Sequence, residues 1–323
     1  MPLPTDPKAL ALSQDLLKAF DTVDGGEHPG FRPAHAKGLM FTGVFRPSME
    51  VASLTRASHT QRETPVTVRL SDFAGIPSVA DNGENASPRG CAIRFHLGEH
   101  AHTDIVSHSI DNFPTRTAEE FLEFLHAAAA SDPSKPHPNP IEQFLGAHPN
   151  ALAFVQAPKP IPTSFAHEKF FAVSAFKFTN AAGTSQFGRY RIVPDAGTEY
   201  LDSAQAAAKG PNFLMDEMRD RIAKGNVKYH IVVQVAEAGD VTDDATVRWP
   251  EGRRHVKFGE VVLQATVADS DDERRRMIFD PIPRVDGIET SADPLFNPRA
   301  DLYLLGGRRR RAADEMAQKA KAS

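Results

Sequence analysis

The chain has 323 residues and a formal net charge of −5 at pH 7, with 41% hydrophobic and 24% charged residues. This composition is typical of a globular protein with a sizeable core, and its negative balance argues against general nucleic-acid binding. The single cysteine excludes an internal disulfide framework, and no apolar run is long enough for a membrane span. No signal peptide is evident, so a cytoplasmic location is expected, or a periplasmic one if a signal was removed.

The first part of the chain alternates between helical and strand-like patterns. Apolar residues on one face, after the turn-like PTDP, predict an amino-terminal helix over about residues 7–22. Residues 117–130 have the threonine cap and the first-turn glutamates of an amphipathic helix. Runs with alternating or continuous apolar residues predict strands between these helices, within 37–48, 64–73, 90–99 and 103–110.

The second part contains further strands and fewer helices. A short helix is predicted over 141–149, and two helical segments within 203–224 are separated at Gly210-Pro211. Strand patterns recur as a hairpin within 170–194 and as two alternating segments, 227–238 and 256–267. From 312 onward the tail is polar and helix-prone, without a firm prediction. Many strands without regular βαβ alternation predict an α+β chain built around a sheet or barrel, and no linker divides it.

Four histidines cluster in HLGEHAHTDIVSH. His100 and His102 would point to the same side of a strand, and a zinc site is conceivable. A solvated turn between strands is the favoured interpretation, because the segment lacks paired cysteines and the HExxH spacing.

Two further features leave several roles open. His35, in FRPAHAKGLMF, fits a buried core residue, a metal ligand or an acid–base catalyst. Near the other end, Arg299 and Tyr303 share a helical face at i and i+4, so the guanidinium can reach the phenol oxygen. A positive charge there favours a phenolate, which is a hard ligand for ferric iron. Taken alone, the pair fits an ordinary helix surface contact at least as well.

Taken together and in order, these segments resemble the haem catalase family. RPAHAKG is similar to the family's distal-histidine segment, and TPVTVRLSDFAG, SPRGCAIRF and DIVSHSIDNFPTR are similar to the segments that follow it. AFKFTNAAG resembles a later barrel hairpin, and GIETSADPLFNPRADLYLLGGRRRR resembles the proximal segment that carries a tyrosine haem ligand. The likeness runs from about residue 28 to residue 311, and the chain's shortness resembles the minimal catalase-related peroxidases.

The resemblance implies one catalase-like haem domain over 1–323, with a barrel core over about 30–310 and a short carboxy-terminal tail. The expected fold is an antiparallel β-barrel with flanking helices and haem b, iron protoporphyrin IX, buried at the barrel. The resemblance also implies roles for individual residues. His35 would be the distal acid–base group, Ser71 would orient it, and Tyr303 would ligate iron with Arg299 beside it. Guanidinium groups suit carboxylate contacts, and the remaining cofactor-binding residues implied are Arg32, Arg69, Phe121 and Arg310.

One position departs from the family pattern. His108 stands where large catalases carry a distal asparagine that helps to position peroxide, so efficient dismutation is in doubt. The expected function is a peroxidase for hydrogen peroxide or organic hydroperoxides, with an unidentified electron donor and weak catalase activity. The alternatives are a hydroperoxide rearrangement of the allene oxide synthase kind and a non-catalytic haem-binding barrel. A homodimer is plausible, and no membrane or nucleic-acid partner is expected.

Overall fold

The computed structural model describes residues 3–132, 134, 136–268 and 276–322. Its α-helices are α1 (Pro7–Val23), α2 (Ala118–Ala129), α3 (Pro140–Ala147), α4 (Pro149–Gln156), α5 (Ser203–Ala207), α6 (Phe213–Lys224) and α7 (Phe296–Ala322). Its strands are β1 (Gly38–Pro47), β2 (Thr64–Ser71), β3 (Gly90–His96), β4 (His102–His108), β5 (Ile161–Pro162), β6 (Phe170–Phe171), β7 (Phe176–Thr179), β8 (Ser185–Pro194), β9 (Tyr200–Leu201), β10 (Val227–Val235), β11 (His255–Thr266) and β12 (Ile288–Thr290).

An antiparallel barrel forms the centre of the molecule. Neighbouring strands follow the order β10-β11-β1-β2-β3-β4-β6-β8, and β8 also pairs with β10, which closes the ring of eight strands. Closure removes the free strand edges that an open sheet would expose. The predicted fold class, an α+β chain with an antiparallel barrel and flanking helices, is confirmed.

Side chains fill the barrel interior. Phe45 meets Phe95 edge to face at 5.0 Å, and Tyr190 meets Phe258 in the same way at 5.2 Å. Because successive strand residues point to opposite faces, the core residues of β2 alternate with side chains on the outer wall. Val68 and Leu70 belong to the core cluster, whereas their neighbours Arg69 and Ser71 do not. The side chains of Arg69 and Ser71 in β2 therefore face outward, toward the helices.

Helices α1, α2 and α7 cover this outer wall. Helix α2 begins after Thr117, whose hydroxyl accepts a hydrogen bond from the Glu120 N–H at 3.2 Å, as the threonine cap predicts. Apolar side chains shared among the three helices form a second cluster, which contains Leu16, Phe20, Ala118, Leu125 and Leu302. The space between these helices and the barrel wall is where a ligand can enter.

The structure differs from the predicted elements in a few places. Helix α4 was not predicted, because its eight residues begin at Pro149 and end just before the proline-rich APKP segment. The predicted hairpin strand over 170–180 is divided into β6 and β7. Residues from 312 to 322 continue α7. Among the residues described here, no helix is both long and apolar enough to cross a membrane.

Candidate active site

A cavity of about 360 Å³ lies between the outer wall of strands β2–β4 and helices α1, α2 and α7. Most of the lining side chains are apolar or aromatic. One of them, Val23, lies at the end of α1 and is exposed. No described lining residue is acidic, whereas the cationic ones are Arg32, Arg69, Lys159, Arg299 and Arg310. The cavity therefore favours an apolar ligand that carries negative charge.

His35 is fixed at one side of the cavity by contacts with the end of β2. Its φ of 57° lies in the left-handed region, which is uncommon for a residue with a side chain. The His35 N–H donates to the Phe73 carbonyl at 2.5 Å, and an Arg69 N–H donates to the His35 carbonyl at 2.7 Å. Ser71 Oγ lies 3.1 Å from His35 Nδ1. These contacts hold the His35 backbone and its ring nitrogen Nδ1 in place. The second ring nitrogen, Nε2, is not part of them.

The close approach of Ser71 and His35 depends on a glycine in the next strand. Gly90 pairs with Ser71 across β2 and β3. A Cβ added at Gly90 would lie 2.7 Å from Ser71 Oγ and 2.8 Å from His35 Nδ1, closer than real contacts allow. Gly90 is a functional position that the sequence argument did not identify, although it stands in the quoted segment SPRGCAIRF.

The surroundings of His35 keep its ring neutral. Burial, followed by the positive charge of Arg69 and the nearby His108, lowers the pKa of His35 to about 3. At pH 7 the imidazole is therefore unprotonated, which is the form in which it can accept a proton, and its low pKa makes it a weak base.

His108 reaches the same cavity. It pairs with Gly90 across β3 and β4, and its Nδ1 accepts a hydrogen bond from the Ile110 N–H at 3.3 Å. A neutral ring that accepts at Nδ1 carries its proton on Nε2. Burial, with the charge of Arg299 second, lowers the pKa of His108 to about 3. The cavity therefore contains two neutral histidines, His35 and His108. The sequence alone had left the role of His108 open.

Arg299 and Tyr303 lie on α7 and also line the cavity. Nε and Nη2 of Arg299 both donate to Tyr303 Oη, each at 3.3 Å. The predicted i and i+4 contact is therefore present, and it places positive charge against the phenol oxygen. This arrangement stabilises a negatively charged oxygen, the form in which tyrosine binds a metal.

Two further arginines meet at a single backbone carbonyl. Arg32 and Arg310 both donate from Nη2 to the Met277 oxygen, at 3.0 Å and 3.2 Å. Burial, with Arg311 second, lowers the pKa of Arg310 to about 10, so the group keeps its charge at pH 7. With Arg69 they give the cavity three guanidinium groups besides that of Arg299. Such a group of cations suits the carboxylates of a ligand.

Aromatic rings extend the cavity along α2. Phe121 contacts Phe113 at 5.0 Å, Phe20 at 5.8 Å and Phe124 at 6.0 Å. Phe121 is thus both a packing residue and part of the cavity lining. Lys159, which follows α4, lines the cavity as well, and no signal in the sequence pointed to it.

The histidines of the cluster lie in different surroundings. His96 Nε2 lies 2.9 Å from Thr67 Oγ1, His102 pairs with His96 across β3 and β4, and His100 is exposed on the turn. In the ranges that the structure covers, no group of three or more His, Cys, Asp or Glu side chains could hold a metal. The turn interpretation is the one that the geometry supports.

Comparison with known proteins fits this geometry. The family model described as Catalase matches residues 16–318. The chain is 32% identical over 311 residues to the catalase-related peroxidase of Mycolicibacterium paratuberculosis, covering 93% of this chain and 96% of that protein. It is 29% identical over 296 residues to the catalase-related peroxidase of Synechococcus elongatus, covering 89% and 86% of the two chains.

Solved structures agree on the fold. A fungal catalase matches with a TM-score of 0.76 at 22% identity, over 88% of this chain and 60% of that one. Catalase A from Saccharomyces cerevisiae matches with a TM-score of 0.76 at 21% identity, over 88% and 62%. The chain therefore spans about 60% of the length of the catalases whose structures it resembles.

A barrel flanked by helices carries one cavity that is lined by a histidine and by a tyrosine–arginine pair, and tyrosine is the haem ligand of catalases, which are oxidoreductases that act on peroxides. The chain belongs to the catalase family. Its relatives are named catalases and catalase-related peroxidases, and membership implies a haem cofactor.

Proposed function

We propose that this chain is a haem b-dependent peroxidase that reduces hydrogen peroxide or organic hydroperoxides, with at most weak catalase activity. The observation that carries the proposal is one cavity that contains both the neutral His35 and the Arg299–Tyr303 pair. A carrier of haem has no need for a neutral acid–base group beside the ligand cavity.

The residues present fit haem b. Iron protoporphyrin IX is a flat apolar ring with two carboxylates and a metal centre. The cavity offers a mostly apolar lining that includes several cationic side chains, and a tyrosine oxygen beside a guanidinium. Tyr303 would ligate the iron, and Phe121 would lie against the ring. The propionates would pair with Arg32, Arg69 and Arg310.

The chain's own residues supply proton transfer and orientation. Haem, when bound, supplies the redox chemistry of its iron. His35 accepts the proton of the peroxide at Nε2 and returns it to the departing oxygen, while Ser71 holds Nδ1 and so fixes the ring. Overall, a hydroperoxide takes up two electrons and two protons, its O–O bond breaks, and an alcohol and water are formed.

His108 is the basis for favouring a peroxidase over a true catalase. Dismutation needs a second peroxide molecule in a defined position, and the family's asparagine serves that purpose. His108 presents a ring there whose Nδ1 is engaged by Ile110. An organic donor, rather than a second peroxide, would then supply the two electrons. The homodimer, the cytoplasmic location and the single domain stay predictions.

The test measures turnover of the haem-loaded protein with hydrogen peroxide and with cumene hydroperoxide, each with and without a phenolic donor. We expect donor-dependent turnover well above that of free haem, and little oxygen release without donor. Turnover no greater than that of free haem would leave only a haem-binding barrel. Conversion of a fatty-acid hydroperoxide to an allene oxide or its hydrolysis products, without donor, would instead establish a rearrangement.

A further inference from the structure

A largely buried charged cluster adjoins the side of the cavity that His35 lines. Its members are Lys37, Asp72, Asp81 and Arg89. The two aspartates are fully buried, and none of the four is among the residues that line the cavity. Lys37 comes two residues after His35 in the chain. Asp72 directly follows Ser71, so a movement of this cluster reaches both proposed proton-transfer residues through the backbone.

Asp81 is the anion of the cluster. Lys37 Nζ lies 2.5 Å from Asp81 Oδ1, and the Lys37 side chain is only 10% exposed. The N–H groups of Leu214 and Met215, in the first turn of α6, donate to Asp81 Oδ2 at 2.7 Å and 3.4 Å. A cation and the positive end of a helix both favour the charged form of a carboxyl group. Asp81 is therefore stabilised as a carboxylate.

Asp72 has no such partners. Among the residues that the structure describes, no donor forms a hydrogen bond to either of its carboxyl oxygens. Arg89 Nε is 3.7 Å from Asp72 Oδ1, which is too far for a hydrogen bond. The carboxyl group of Asp72 lies instead within hydrogen-bonding reach of that of Asp81, and burial, followed by this contact, raises the pKa of Asp72 to about 8. Two carboxyl groups can share a hydrogen bond only when one of them carries a proton.

The backbone of Asp72 supports the His35 side of the cavity. Its N–H donates to the Lys37 carbonyl at 3.1 Å. The Asp72 backbone also forms a hydrogen bond with the His35 ring. The position of Asp72 is therefore coupled to that of the imidazole, in addition to the contact that Ser71 makes with it.

Arg89 links the aspartates to the neighbouring strand. It directly precedes Gly90, which closely approaches His35. Arg89 Nη2 donates to the Asp81 carbonyl at 2.6 Å, whereas Nε and Nη1 are buried without a hydrogen-bond partner in the described part of the chain. A carboxylate at Asp72 would attract these two groups. Loss of a proton from Asp72 would therefore pull on the residue next to Gly90.

We propose that Asp72 and Asp81 share one proton, and that the protonated pair positions Ser71 and His35 for proton transfer. Both aspartates are positioning residues, because they act through Ser71 and His35 and do not line the ligand cavity. Loss of the proton leaves two adjacent carboxylates, which repel each other and displace the imidazole, so turnover falls as the pH rises. This inference rests on the proposed peroxidase function.

The other charged groups around the pair define the control. Lys37 and Arg89 face Asp72, and Glu168 in turn faces Arg89. Burial raises the pKa of Glu168 to about 7, so this carboxyl group loses its proton in a similar pH range. Any test must therefore separate Asp72 from Glu168.

The first test compares pH profiles of the haem-loaded wild type and Asp72→Asn, whose amide can donate to Asp81 and cannot ionise. For the wild type we expect kcat/KM for hydrogen peroxide to fall about tenfold from about pH 7 to about pH 9.5, whereas in Asp72→Asn the two values should be nearly equal. Asp72→Ser, which also offers a donor, replaces Asp72→Asn if that variant does not fold. Glu168→Gln is the matched control and should keep the wild-type fall.

Infrared spectroscopy detects the proton directly. A protonated carboxyl group has a C=O stretching band that is separate from the bands of carboxylates. The wild type should show such a band near neutral pH and lose it at alkaline pH. The band should be missing in Asp72→Asn and retained in Glu168→Gln. Its absence from the wild type, or an equal fall of kcat/KM with pH in the wild type and Asp72→Asn, would overturn the inference.

A structural measurement separates this inference from the proposed function. If the wild type reduces no peroxide at any pH, the peroxidase is refuted, and crystal structures at neutral and alkaline pH then decide the positioning role. The distance of 3.1 Å between Ser71 Oγ and His35 Nδ1 should lengthen when the infrared band is lost, and should stay constant in Asp72→Asn. A distance that does not change in the wild type would overturn the role of the aspartate pair.

Discussion

The His35 side of the cavity and the Tyr303 side are positioned by different kinds of contact. His35 depends on strand pairing, a left-handed backbone conformation and a glycine in the neighbouring strand. Tyr303 depends on the spacing of one helix, which places Arg299 next to it. We therefore expect small backbone shifts to displace the His35 ring. The contact between Arg299 and Tyr303 should tolerate such shifts as long as α7 stays helical.

The electrostatics of the two sides also differ. Burial, with Arg69 second, lowers the pKa of His35 and keeps a neutral base on one side. On the other side, the two hydrogen bonds from Arg299 place positive charge at the Tyr303 oxygen. One cavity is thus lined by a neutral histidine and by a tyrosine oxygen that accepts two hydrogen bonds from a guanidinium.

The largest effect is expected on the Tyr303 side. Tyr303→Phe removes the proposed ligand oxygen and leaves Arg299 without its partner, so haem should be lost or its spectrum changed, and turnover should fall to that of free haem. Absorption spectroscopy and haem content give the result. Tyr190→Phe, in the barrel core and outside the cavity lining, is the control. An unaltered spectrum in Tyr303→Phe would refute the ligand assignment.

On the His35 side, His35→Ala should leave haem bound and lower kcat/KM for hydrogen peroxide by about 10² to 10⁴-fold, the usual contribution of a general acid–base group. Stopped-flow kinetics on protein of matched haem content measures it. His59→Phe removes another buried histidine, in the barrel core, and should leave the rate unchanged. Full activity in His35→Ala would eliminate the proton-transfer role.

Gly90→Ala probes the sensitivity of the His35 side to small displacements. The added methyl group would meet Ser71 and His35, so the ring must shift, and we expect turnover to fall about 10 to 10²-fold with haem retained. Gly146→Ala provides the control, because a Cβ there has no neighbour within 4 Å and alanine is the better helix former. Equal rates for both variants would show that the close approach is unimportant.

The smallest effect concerns stability and pH. Burial lowers the pKa of His59 to about 4 from its ordinary 6.5. Between pH 6.5 and 4 the unfolded chain therefore binds a proton that the folded chain does not, and stability falls as the pH falls. His59→Phe should remove up to about 1.4 kcal/mol per pH unit of this dependence in urea unfolding. An unchanged slope in His59→Phe would contradict the expected pKa.

The sequence predicts the helical side of the site better than the strand side. Arg299 and Tyr303 are four residues apart, and helix geometry alone brings them together. The contact of His35 with Ser71 spans 36 positions and depends on strand register, while Arg32 reaches Met277 across 245. Only the family resemblance placed His35 and Ser71 together, and nothing in the sequence predicted the contact of Arg32 with Met277, because no local pattern encodes a register or a left-handed histidine.

Other features could not have been inferred from the sequence at all. Burial and the nearby charge of Arg69 lower the pKa of His35. That proximity depends on the fold, because it requires the alternate side chains of β2 to point outward from the barrel. Lys159 lies in the proline-rich APKP segment, and its place in the cavity lining depends on the packing of α4, which ends just before it. Burial and long-range packing, rather than spacing, decide both.

The central claim is that Tyr303 and His35 face a haem bound in this cavity. The most direct test is the electronic and resonance Raman spectrum of the purified haem-loaded protein. We expect one high-spin ferric haem per chain with a tyrosinate–iron signature, lost in Tyr303→Phe and retained in His35→Ala. A low-spin spectrum with histidine ligation, or a tyrosinate signature that survives in Tyr303→Phe, would contradict the account.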